Sequence, residues 1–126
     1  MAGSDVFSTH VLSSEIAAAD PDGVCTTQST SGAANLTIDG ALTDGGVATL
    51  VPARNATITS AGSSETGKTF TFTGTDANGN AVTEAISGPG SSATVSTTNV
   101  FKTITQIAVS AALTGDVTVG SGTTVS

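Results

Sequence analysis

Residues 92–113 read SATVSTTNVFKTITQIAVSAAL, and their apolar residues Val95, Phe101, Ile104, Ile107 and Val109 admit two readings. Steps of three from Phe101 to Ile107 fit one face of a helix, which would make the chain mixed α and β. The Thr residues between them are β-branched and stiff at χ1, and a strand carrying a bulge produces the same step where one extra residue is inserted. The strand reading fits the Ser/Thr-rich flanks better, and it makes the chain all-β.

Working outward, residues 69–87 (TFTFTGTDANGNAVTEAIS) alternate strictly at first, with Phe70 and Phe72 on one face and Thr69, Thr71 and Thr73 on the other. The run then enters a turn of Asp76, Asn78, Gly79 and Asn80 and returns with Val82, Glu84 and Ile86 on a common face. Glu84 mismatches that face, which points to a bulge, an edge position or a subunit contact. A calcium loop starting at Asp76 would need Gly at its sixth position and Glu at its twelfth, but Ala81 and Ser87 stand there. A looser cage of Asp76, Asn78 and Asn80 has one carboxylate. The turn is therefore read as a hairpin bend, with Asp76 and Asn78 capping backbone amides and Gly79 at positive φ.

Further strands are expected at "NLTID", "GVATLVPA" and "NATITSAG" before the hairpin and around Val117 and Val119 after it, with turn signals every 8 to 12 residues. Seven or eight strands in 126 residues make one domain, an antiparallel two-layer β-sandwich over residues 35–126. Phe70, Phe72, Phe101, Ile104 and Ile107 are its expected core. Residues 1–34 read as a mostly irregular N-terminal arm, because Pro21 and Gly23 stop any helix begun at Ser13 or Ser14 and "TTQSTSGAA" is a polar stretch. The apolar residues of this arm, Val6, Phe7, Val11 and Leu12, have no core of their own and are the candidate contact residues.

Composition agrees and narrows function. The 24 Thr and 16 Ser favour strands and turns over helices. A net charge of -7 with three scattered cations, Arg54, Lys68 and Lys102, points away from nucleic acid and anionic membranes, which need clustered Lys and Arg. No apolar run is long enough to span a bilayer and no signal sequence is recognisable, so synthesis in the cytoplasm is expected. The single Cys25 excludes an internal disulfide. Cys25 and His10 form no evident nucleophile pair, so Cys25 is read as a small buried hydrophobe. Glu65 and Glu84, among small polar residues, and Asp20 and Asp22, around Pro21, read as solvated loop carboxylates. "GSGTT" and "GPGSS" lack the Lys and the following helix of a phosphate loop. The expectation is a non-enzymatic contact module without cofactor or metal.

Residues 53–122 add a resemblance. The elements "RNATITS", "FTFTGTDANGNAVTEAISGP", "FKTITQI" and "GDVTVG", in this order and spacing, resemble small structural proteins of tailed bacteriophages. The resemblance implies a virion component of the capsid decoration, or cement, type, with an Ig-like or jelly-roll-like sandwich and a homotrimeric assembly. Its implied partner is the major capsid protein, bound on the outer surface of the head. A head-completion, neck or tail component, or an Ig-like adhesive module binding surface glycans, are the alternatives.

Overall fold

The computed structural model describes residues 19–125, so the expected contact residues Val6, Phe7, Val11 and Leu12 lie outside the described residues. Nine strands follow in chain order: β1 (Asp20–Gln28), β2 (Ala34–Asn35), β3 (Thr43–Asp44), β4 (Val47–Ser60), β5 (Thr69–Thr75), β6 (Ala81–Ser87), β7 (Thr94–Ser96), β8 (Phe101–Val109) and β9 (Val117–Val125). All pairs are antiparallel within one sheet, whose main order is β1-β9-β4-β8-β5-β6. β2 pairs with β8, while β3 and β7 pair with β4. The described residues are all-β, in keeping with the Thr-rich composition.

The stretch at Phe101–Val109 is a strand with one extra residue opposite β5. Opposite β5, Thr73 pairs with Gln106 but Gly74 with Ile104, which leaves Thr105 as an insertion. Opposite β4 the extra residues lie on the partner instead, since the step from the Thr49–Thr103 pair to the Arg54–Phe101 pair takes five residues of β4 and two of β8. The Thr105 insertion keeps Ile104 and Ile107 on the buried face at a step of three, regular alternation carries Val109 inward, and Phe101, past the shift opposite β4, is buried as well.

β1 begins the sheet at Asp20, inside the segment expected to be an irregular arm. Val24 and Cys25 are fully buried in it, and its partner is the distant β9. Pro21, read as a stop, is accommodated because β1 is the outermost strand in the hydrogen-bonded order, where a missing N–H is tolerated.

One hydrophobic cluster joins Val24 and Cys25 of β1, Leu50 and Ile58 of β4, Phe70 and Phe72 of β5, Phe101, Ile104 and Ile107 of β8, and Val117 and Val119 of β9. A flat sheet would hold β1 and β5 about 19 Å apart at roughly 4.8 Å per strand. The sheet therefore curls over its core, and the two layers expected of a sandwich belong to one continuous sheet. The segment following β2 closes the curl: Leu36 N–H donates to the Ile107 carbonyl, Asp39 and Gly40 donate to Val24, and Leu42 donates to Gly23. This connection runs from β8 to β1, and it covers the edge of β1. The β5–β6 hairpin extends from the other side of β8.

Candidate functional site

The ionisable groups come first, because they would carry any chemistry. Glu65 is 0% exposed, which corrects its reading as a solvated loop residue. Its Oε1 accepts the Thr114 N–H at 2.9 Å, its Oε2 accepts the Gly115 N–H at 2.8 Å, and Lys68 Nζ lies 3.2 Å from Oε1. Lys68 also donates to Thr114 Oγ1 at 2.7 Å. Burial pushes the Glu65 carboxyl up, but the two amides and the ammonium outweigh it and hold the group below its ordinary value.

Glu84 does the same work elsewhere. It sits on β6, the last strand of the sheet, so the mismatch on its face reflects an edge position. Its two carboxylate oxygens accept Thr98 N–H and Asn99 N–H, both at 2.7 Å, and tie the β7–β8 loop to the hairpin. Asp76 Oδ1 accepts Asn78 N–H at 2.9 Å and Asn80 N–H at 3.0 Å, and Gly79 has φ 84°, as the hairpin reading expected. Asp39 is engaged likewise by the amide and hydroxyl of Thr26, each at 3.0 Å. Asp20 and Asp22 lie in β1 rather than in a loop.

Cys25 is buried, and desolvation, with Asp39 adding to it, pushes its thiol up to about 12. Such a thiol stays protonated and unreactive near neutral pH. Arg54, between Ala53 and Asn55, is also buried, which its place shortly after Pro52 in the sequence did not signal. Among the described residues, no three His, Cys, Asp or Glu side chains come together as a metal would require.

The hairpin also presents backbone groups at the margin of the sheet. The hairpin bonds Gly88 N–H to the Lys68 carbonyl and Asp76 N–H to the Asn80 carbonyl, so in the common register the pairs Phe70–Ile86, Phe72–Glu84 and Gly74–Val82 exchange the backbone bonds. Ala81, Thr83, Ala85 and Ser87 consequently turn N–H and C=O outward. Among the described residues, β6 is the one strand longer than three residues whose whole outer edge has no backbone partner. The outer face of this hairpin carries Thr69, Thr71, Thr73, Thr75, Ala81, Thr83, Ala85 and Ser87 and no charge. The opposite face carries Val82 and Ile86, half-buried against the core.

A cleft of about 240 Å³ lies beside the hairpin turn, lined by Asp76, Ala77, Asn78, Val82, Asn99 and Val100. It lies between the hairpin and the β7–β8 loop, the two parts that Glu84 ties together. The hairpin and its turn chemistry were legible in the sequence. Which edge stays open was not, since it depends on the connection from β8 to β1 that covers the other one. No protein-family model, curated protein or solved structure matches the chain.

Proposed function

We infer that the protein is a bacteriophage capsid decoration, or cement, protein: a homotrimer that binds the major capsid protein outside the head and stabilises contacts between capsomers. The observation that carries this reading is the division of labour among its groups. The clamping carboxylates of Glu65, Glu84, Asp76 and Asp39 are committed to backbone amides and so to holding loops. An uncharged threonine face and an open strand edge are left for contact. The likeness of residues 53–122 to small phage structural proteins supports the same reading, and the charge of -7 suits an outer surface better than a DNA-filled interior. A subunit that binds only assembled capsomers stabilises the shell by mass action.

The test mixes purified protein with shells that lack it, then measures sedimentation and the temperature of shell disassembly. A species of three times 12.1 kDa that pellets with shells and raises that temperature is expected. Protein that stays in the supernatant at saturating concentration overturns the reading in favour of a tail, neck or adhesive component.

A further inference from the structure

We propose that residues 6–12 of one copy add as an antiparallel strand to the β6 edge of a neighbouring copy, with Phe7 opposite Ile86, Thr9 opposite Glu84 and Val11 opposite Val82. The inference is independent of the shell reading, because it concerns copies of this chain alone.

The edge is built to receive a strand. Ala81, Thr83, Ala85 and Ser87 present their backbone groups outward, and β6 has seven residues. At this margin Val82 and Ile86 are packed against the core on one side only, four residues apart with Glu84 between them. A further strand would complete their burial if it carried two apolar side chains at the same spacing on the same face.

The sequence outside the described residues contains a stretch with that pattern. Residues 6–12 read VFSTHVL, seven residues without Asp, Glu, Lys or Arg and rich in β-branched and aromatic types. Phe7 and Val11 are four apart with Thr9 between them, which reproduces the Val82, Glu84, Ile86 spacing in antiparallel sense. The register places the Thr9 hydroxyl opposite the Glu84 carboxylate. It also sets Ser8 against Ala85 and His10 against Thr83, the positions whose outward backbone groups are free to bond, and keeps both polar side chains on the threonine face. Val6 meets Ser87 and Leu12 meets Ala81. A slip of one residue sends Phe7 and Val11 to the outer face and brings Ser8 and His10 against Val82 and Ile86, so this register is strongly selected.

The donor is a neighbouring copy because of reach. Residues 13–19 link the added strand to β1, and β1 and β6 stand at opposite ends of the strand order. Within one copy the added strand would lie beyond β6, six strand spacings from β1 around the outside of the curl, roughly 29 Å, and the eight Cα steps from Leu12 to Asp20 extend to about 28 Å at most. No slack remains for a turn. Passing the strand to the next copy removes that constraint, and the exchange closes as a reciprocal dimer or, where the rotation between copies allows, as a ring.

Two full-length proteins, Val11→Cys and Val82→Cys, test this in a mixture under oxidising conditions. Buried Cys25 does not compete. Covalent dimers that form in the mixture and not in either protein alone are expected. If the mixture stays uncrosslinked while a chain carrying both cysteines closes on itself, exchange between copies is overturned. If neither forms, the register is overturned. As an independent reading, Phe7→Ser and Ala85→Pro, the latter removing an outward N–H that bonds nothing within the hairpin, should each weaken association at least tenfold by light scattering. Unchanged mass in both variants would refute the proposal, and neither outcome depends on shell binding.

Discussion

Glu65, Glu84 and Asp76 each accept two nearby backbone N–H groups, and each fixes a connection that strand pairing leaves loose. Charge-assisted bonds of this kind are about twice as strong as neutral ones, and removing one partner from a buried set costs more than the set contributes. Glu65→Gln keeps the shape but leaves the Lys68 ammonium without its carboxylate. It should lower stability by about 3 kcal/mol, read from urea unfolding. The same residue sets an acid limb. Because its folded value lies below its ordinary 4.5, its contribution is complete above that value and is lost as pH falls through the folded one. Wild-type stability should therefore drop below about pH 4.5 more steeply than that of Glu65→Gln. Gly74 is constrained by space instead, since a Cβ there would overlap the Thr103 carbonyl across the β5–β8 pair. Gly74→Ala should cost about 3 kcal/mol, because backbone has to shift to admit it. A cost below about 0.5 kcal/mol, as for an ordinary surface change, would contradict that packing.

At the scale of elements, β8 explains both the ambiguity of the sequence and its resolution. The step of three from Ile104 to Ile107 is a bulge, so deleting Thr105 should leave regular pairing with β5 and the same side chains inward. The loss expected is about 2 kcal/mol, with cooperative melting retained. Deleting Ala108 instead removes a residue from regular alternation and turns Val109 outward, and that variant should not melt cooperatively by circular dichroism. Equal damage from both deletions would refute the bulge assignment. The hairpin at Thr69–Ser87 was legible because its alternation, its Asp76 bend and its Gly79 are all local. β1 was not legible, because Asp20-Pro21-Asp22-Gly23 has the chemistry of a turn and its partner β9 lies about a hundred residues away, as the Asp20–Ser121 contact shows. Glu65 was misread for the same reason: the Thr114 and Gly115 amides that bury it are supplied 49 and 50 residues along the chain. Local pattern reveals pairs joined by short turns, whereas long-range closure becomes visible only in the folded sheet.

At the scale of the molecule, the described residues form a sheet curled on one core with one long open edge, and such an edge is a template for pairing with another chain. If copies exchange strands, folding and association are one equilibrium, and the melting temperature depends on concentration. For a trimer that unfolds to three chains, each tenfold increase in concentration favours the folded state by about 0.9 kcal/mol per subunit, two thirds of the usual 1.4. For a chain of 126 residues this raises the melting temperature by about 3 °C. The Phe7→Ser variant, released from exchange, should show no such dependence. Salt provides a second handle on the same equilibrium. Subunits of net charge -7 repel one another, and about 0.5 M salt shortens the screening length well below the roughly 8 Å found at physiological strength. Added sodium chloride should therefore strengthen association, the reverse of its effect on a protein that binds phosphates through cations. Scanning calorimetry across a hundredfold concentration range, at low and high salt, reads both effects. A melting temperature independent of concentration in the wild-type chain would mean that β6 is left open in solution and that each subunit is stable by its own core alone.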